Sequence, residues 1–201
     1  MRFAPASFRP AFGRVLSVVV AAISVAGLAG FVATGDWAGL VHYGWGLVLL
    51  AVAGVALFWL PRLDVAEHEV TVRNVFSTVH VPWPAIERID TKYALTLYTP
   101  RGKVTAWASP APNRYAGQVA PSGDSRLPGA GLGGSIRPGD LMNTASGAAA
   151  YVIRSHWDRL RDDGHLDDPV IEDGAFRRDI HWSTIVALGV LAVATVLGIA
   201  L

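Results

Sequence analysis

An α+β membrane protein is the fold class this sequence predicts: a small antiparallel β domain with a C-terminal helix, carried on three membrane helices. Three observations predict it. There are three uncharged apolar runs of membrane length. A middle stretch consists of short β-branched and aromatic segments separated by turn residues, and an amphipathic helical pattern follows them. With 52% hydrophobic and 16% charged residues over 201 positions, the chain is too apolar for an ordinary soluble domain.

The first run, residues 15–34, holds twenty residues and no charge, and at about 1.5 Å rise per residue it matches the roughly 30 Å hydrocarbon core. Ten of the twenty are Val, Leu, Ile or Phe, which favours insertion. A second run covers 42–60 and stops at Pro61-Arg62, and a third covers 182–201. The short connection over 35–41 makes the first two a hairpin. Trp37, Trp45, Trp59 and Trp182 stand at or near the run ends, where the amphipathic indole prefers the headgroup region. A cleaved signal peptide is the rival reading of residues 1–30, because Arg2, Arg9 and Arg14 precede the apolar stretch; the run is longer than an ordinary signal core, and a second span follows at once.

Three spans put the N-terminus and the middle domain on one side, and all 17 Lys and Arg residues fall there. By the positive-inside rule that side is the cytoplasm, with the C-terminus extracytoplasmic. The expected location is therefore the inner (plasma) membrane, multi-pass.

The middle of the chain predicts strands at 62–65, 69–74, 77–81, 86–91, 95–99 and 103–109. Val70 and Val72 alternate with Thr71 and Arg73, and Leu95 and Leu97 with Thr96 and Tyr98, so each strand has one buried face. Pro100-Arg101-Gly102 joins the last two as a hairpin. Residues 110–143 are rich in Pro and Gly and read as an insertion. Thr144 or Ser146 can then cap a helix to about Asp162, whose Ala149, Val152, Ile153, His156, Trp157 and Leu160 recur at helical spacing. This stripe must be buried, and the nearest apolar surface is the preceding sheet. The expected organisation is an N-terminal segment and hairpin (1–61), the cytoplasmic domain (62–163), an acidic linker (164–181) and the last span (182–201).

The run Val70-Thr71-Val72-Arg73-Asn74, then Val81-Pro82-Trp83-Pro84-Ala85-Ile86, then Val104-Thr105-Ala106-Trp107-Ala108, resembles the bacterial PH-like domains of small actinobacterial membrane proteins, the family containing low-molecular-weight antigen 6. The resemblance covers about residues 60–112. It implies a PH-like antiparallel β-barrel or sandwich with a C-terminal capping helix, and no known chemistry.

Several chemistries fail on the residues themselves. A formal net charge of +1 gives no concentrated basic face for nucleic acid, and the absence of cysteine closes thiolate chemistry. Gly129 to Gly134 satisfies G-x-G-x-x-G but follows a loop and precedes Pro138-Gly139, so no nucleotide is expected. His156, His165, Asp167 and Asp168 lack the spacing that places two ligands on one helix face, so no metal is expected. No other cofactor is implied. The turn Ala66-Glu67-His68-Glu69 carries two carboxylates where a PH-type phospholipid site would need cations, which argues against such a site.

The remaining candidates are contact residues. Lys92, Arg101 and Lys103 can form a basic patch for lipid or partner, or be ordinary strand and turn solvation. Trp83 reads equally as a partner anchor or as packing, whereas Trp107 reads as packing. Ala22, Ala26, Gly30 and Thr34 place a small residue at every fourth position of the first helix, a face suited to close helix packing against the second helix, the third helix or another chain. The expected function is a membrane-anchored binding or scaffolding module without catalysis, in contact with the bilayer and with a membrane protein partner or a second copy. The alternatives are an accessory subunit of a larger membrane complex and a weak anionic-lipid-binding module.

Overall fold

The computed structural model describes residues 5–9, 11–111, 144–166 and 175–200. In chain order its elements are β1 (Ala6–Phe8), α1 (Ala11–Thr34), α2 (Trp37–Phe58), β2 (Arg62–Val65), β3 (Glu69–Arg73) and β4 (Ser77–Pro82). A 3-10 turn at Trp83–Ala85 follows, then β5 (Arg88–Asp90), β6 (Ala94–Thr99), β7 (Gly102–Pro110), α3 (Ala145–Asp162), β8 (Arg177–Ile180) and α4 (Trp182–Ala200). They form two compact units: Met1–Arg9 with Arg62–Asp179, and Pro10–Pro61 with Ile180–Leu201.

The first unit is an antiparallel PH-like domain. One sheet has the order β1-β2-β3-β4-β8 and the other β5-β6-β7. The alternation seen in the sequence sets the register: Val72 pairs with Leu63 and Val79, and Val70 with Val65 and Val81, so all six point to one face. There they meet Leu95, Leu97 and Val104 from the second sheet in a common core. β7 packs against both β2 and β3 and so links the sheets. Asn74 reinforces that link, since its side-chain amide donates to the Thr105 carbonyl at 2.8 Å and its side-chain oxygen accepts from the Trp107 N–H at 3.0 Å.

Helix α3 starts where the polar residues allow it. The Thr144 hydroxyl, rather than Ser146, caps it by accepting from the Gly147 N–H at 3.0 Å. The helix ends before Gly164, whose φ of +74° suits a residue without Cβ. It packs on β6 and β7, with contacts to β1 and β5. Ala149, Ala150 and Ile153 are fully buried, and Val152, Trp157 and Leu160 lie partly buried against the same core.

Two strands depart from the expected pattern. β1 lies ahead of the apolar hairpin, inside the segment read from sequence as an N-terminal extension. It pairs with β2 through Ala6 to Val65 and Phe8 to Leu63. The Ser7 hydroxyl also donates to the Asp64 carboxylate at 2.6 Å. The hairpin is therefore an insertion in the chain between two adjacent strands of one sheet. β8 occupies part of the stretch read as an acidic linker. All four of its residues are exposed, so no buried alternation announces it. The third difference is smaller: of the expected strand over 86–91 only Arg88–Asp90 pairs, because Pro82 and Pro84 turn the chain through the 3-10 segment first. The Pro/Gly-rich stretch, with its Gly129 to Gly134 motif, lies outside the described residues apart from its first two positions, as do Asp167 and Asp168.

Among the described residues, the second unit contains three helices long and apolar enough to cross a membrane: Phe12–Thr34, Trp37–Phe58 and Trp182–Ala200. The turn between the first two is shorter than the sequence suggests. Gly35 takes a φ of +66°, and the Asp36 carboxylate caps α2 by accepting from the Gly39 N–H at 2.8 Å. Helix α1 packs on α2 through a face carrying Gly13, Ser17, Ser24 and Gly27, and α2 also packs on α4.

Candidate functional site

Among the described residues, three places gather groups able to bind or sense something. The first is a polar cavity of about 170 Å³ in the PH-like domain, lined by Asn74, Ser77, Arg101, Lys103, Phe176 and Arg178, among others. The β6–β7 hairpin supplies two of the cations. Its turn is the two residues Pro100 and Arg101, closed by the Thr99–Gly102 pair and by the Thr99 hydroxyl donating to the Gly102 carbonyl at 2.7 Å. Gly102 sits at φ +116°, a conformation that L side chains rarely adopt. Arg101 then reaches across to the chain leading into β8: its guanidinium donates to the Phe176 carbonyl at 3.2 Å and lies 5.4 Å from the Phe176 ring centre. Arg178, two residues on, adds a third cation.

Of the sequence-predicted basic patch, the structure thus brings together Arg101 and Lys103. Lys92 is elsewhere, in the β5–β6 turn at the other end of β6, with its ammonium 5.1 Å from the Tyr93 ring centre. The acidic turn that argued against an anion site is also distant. Glu67 and His68 lie in the β2–β3 turn, at the opposite end of β3 from Asn74. Arg178 and Phe176 escape sequence reasoning because only β8 carries them to the cavity.

The second place is a polar ladder on the outer face of β3, β4 and β8. The His80 Nδ1 lies 2.8 Å from the Glu69 carboxylate, to which the Thr71 hydroxyl also donates at 2.9 Å. Asp179 faces the other imidazole nitrogen at 3.6 Å and accepts from the Arg177 Nε at 2.9 Å. Burial alone would raise the Glu69 carboxyl, but hydrogen bonds from His80 and Thr71, with the charges on His80 and Arg177, outweigh it and hold its pKa below the usual value. This ladder fastens β8 to the sheet. Among the described residues no group of three His, Asp or Glu side chains is arranged to hold a metal ion.

Trp83 and His156 form the third. Trp83 is 2% exposed, so its indole serves inside the domain and offers no outward anchor. It donates to the Ala66 carbonyl at 3.1 Å and meets the His156 ring edge-on at 4.7 Å between centres. Burial pushes the His156 imidazole down, assisted by the Arg159 charge and opposed by the carbonyl and carboxylate of Glu67. Trp107 behaves in the opposite way to Trp83. On β7 the inward positions are Ala106 and Ala108, so Trp107 points outward, 47% exposed, and meets Phe76 edge-to-face at 6.5 Å.

In the helical unit, Ala22, Ala26, Gly30 and Thr34 are all exposed. The sequence left three surfaces open to this stripe, and within the chain neither α2 nor α4 covers it. A Cβ added at Gly30 would meet nothing within 4 Å, whereas at Gly27, on the packed face, it would run into Leu47. The Thr34 hydroxyl is satisfied inside its own helix by the Gly30 carbonyl at 2.9 Å.

The sequence model of the bacterial PH domain family matches residues 60–123. That stretch contains β2 to β7 and leaves out β1, α3, β8 and all three apolar helices. No curated protein and no solved structure matches the chain.

Proposed function

We propose that this chain is a membrane-anchored PH-like binding module, without catalysis, that joins another membrane helix through the small-residue face of α1. The observation that carries it is the open stripe of Ala22, Ala26, Gly30 and Thr34 on a helix whose other face is already packed. Between helices in lipid there is no water to expel, so association depends on close backbone approach, which small side chains permit. A face of this kind left against lipid gains nothing from its glycine and alanines. The occupant is a second copy or a subunit of a larger membrane complex, and the PH-like domain is held on the cytoplasmic side, where all the Lys and Arg lie. Kinship with the low-molecular-weight antigen 6 family belongs to the same reading, supported by the likeness of residues 60–112.

The test uses the full-length chain in mild detergent. Ala26→Leu with Gly30→Leu fills the stripe without touching the chain's own packing, since the space at Gly30 is empty. The double variant should lose most of its dimer, or of the membrane protein that co-purifies with it. Undiminished recovery of that species would remove α1 from the interface.

A further inference from the structure

Within the helical unit, the packing of α4 on α2 leaves an apolar cleft. At one end the two helices touch backbone to backbone: a Cβ added at Gly198 would lie 2.9 Å from the Val41 carbonyl oxygen and 3.1 Å from that of His42. One turn back along α4, Thr195 meets Gly46 at ordinary van der Waals distance, 3.5 Å from where a Cβ would stand. Toward the other end the helices part. A cavity of about 420 Å³ opens there between Val52, Val55 and Ala56 of α2 and Ser183, Thr184 and Ala187 of α4, among others.

Its dimensions decide what fits. The lining runs over 51–60, which at about 1.5 Å per residue is roughly 13 Å, so the cleft averages about 30 Å² in cross-section. A further helix, about 10 Å across, needs roughly 80 Å². One alkyl chain, packed at carbon–carbon distances of about 4 Å, needs roughly 20 Å². The cleft admits a single chain and excludes a helix.

Its mouth carries the polar groups. Trp59 and Trp182 stand exposed at this end of α2 and α4, and indoles prefer the headgroup level, so the cleft begins just beneath it, at the depth of the ester groups of a glycerolipid. Other hydroxyls of these helices turn back on their own backbone: Ser24 donates to the Val20 carbonyl at 3.0 Å, Thr34 to Gly30 at 2.9 Å and Thr195 to Leu191 at 2.7 Å. Ser183 and Thr184 lie in the first turn of α4, and the carbonyls four residues before them belong to β8 rather than to the helix. Among the described residues neither hydroxyl has a hydrogen-bond partner. A hydroxyl facing lipid without an acceptor is costly, and an ester carbonyl supplies one.

We propose that the cleft between α2 and α4 holds one acyl chain of an ester-linked glycerolipid, with the Ser183 and Thr184 hydroxyls donating to its ester carbonyl. Recognition is of chain and ester, without regard to the headgroup. The site does not involve the small-residue face of α1, so it stands or falls separately from the helix association proposed above.

Native mass spectrometry of the full-length protein in detergent tests this with two probes, dipalmitoyl phosphatidylcholine and its diether analogue, which differ only in the ester carbonyls. The protein should retain one diester lipid and hold the diether about fivefold more weakly. Ser183→Ala with Thr184→Val removes the hydroxyls and leaves the cleft open; it should bring the diester down to the level of the diether and leave the diether unchanged. Ala187→Phe, which fills the cleft, should abolish retention of both, whereas Val190→Phe, on an exposed position of the same helix, should not. A photo-crosslinking side chain at position 187 in the native membrane should give lipid adducts. Equal retention of the two probes, indifference to the hydroxyl pair, or undiminished retention by Ala187→Phe would overturn the proposal. So would a discrete protein adduct from position 187, which would put a partner in the cleft.

Discussion

Phe8 and Leu63 are direct cross-strand neighbours, although both helices of the apolar hairpin lie between them in the chain. The PH-like domain is therefore assembled from two sides of a membrane insertion, and its first strand forms only when the chain returns at Arg62. Leu63 is fully buried and Phe8 packs partly buried on the core, so the pair is part of the domain's apolar interior.

A soluble fragment beginning at Arg62 should consequently be less stable than one in which residues 5–9 are joined to it through a short flexible linker. Without β1, the β2 edge is left as a bare row of N–H and C=O groups, prone to pairing with other chains. In the linked form, Phe8→Ala should cost about 1–2 kcal/mol, less than a fully buried aromatic because Phe8 is only partly buried. Chemical denaturation of the three proteins measures this. Equal midpoints with and without the strand would show that β1 adds nothing to the fold.

Ile153→Ala should destabilise the domain by about 2–5 kcal/mol, since Ile153 is fully buried where α3 meets the sheets. Trp157→Ala should cost less than its size suggests, because Trp157 is only partly buried, with Arg161 5.4 Å from its ring centre. Thermal melting of the two variants gives the order. A larger loss for Trp157 would mean that the helix is docked through its other edge.

These elements show how far the sequence could be read. β2, β3, β4, β6 and β7 announce themselves because one face is buried and valines or leucines alternate with polar residues. α3 does so by its apolar spacing and Thr144. β1 and β8 carry no such pattern: one is three residues long beside an apolar helix, the other is exposed throughout and held by Glu69, His80, Arg177 and Asp179. The basic cavity was half legible for that reason. Arg101 and Lys103 share a hairpin turn, but Arg178 joins them only through tertiary pairing. Trp83 and Trp107 illustrate the same limit, since burial depends on which way the strand or turn faces rather than on residue type.

The domain should lose stability on mild acidification. His156 has a folded pKa below its usual 6.5, so the unfolded chain binds a proton more readily than the folded one. The stability tied to the neutral ring is complete above about pH 6.5 and is lost as the pH falls from there through the folded value. His156→Gln should flatten this part of the pH profile. Glu69 acts lower: its folded pKa lies under 4.5, so its contribution is present above that pH and is lost as pH falls through the depressed value. Melting temperatures across this range, for wild type, His156→Gln and Glu69→Gln, separate the two. An unchanged slope above pH 5 in His156→Gln would assign the effect to another group.

The orientation can be fixed with single cysteines, because the chain has none of its own. Ala38, beside the Gly35-Asp36 turn, and Tyr93, 79% exposed in the domain, are suitable positions. In intact cells a membrane-impermeant maleimide should label Ala38→Cys and reach Tyr93→Cys only after permeabilisation. The reverse pattern would invert the topology and place the basic side outside.

The central claim, that α1 joins another membrane helix, is tested most directly by a photo-crosslinking side chain placed at Ala26 in the native membrane, with Val190 on α4, also exposed, as the comparison. The account predicts one discrete protein adduct from Ala26, either a second copy of this chain or a single partner subunit, and none of that size from Val190. The same adducts from both positions, or only lipid adducts from Ala26, would contradict it.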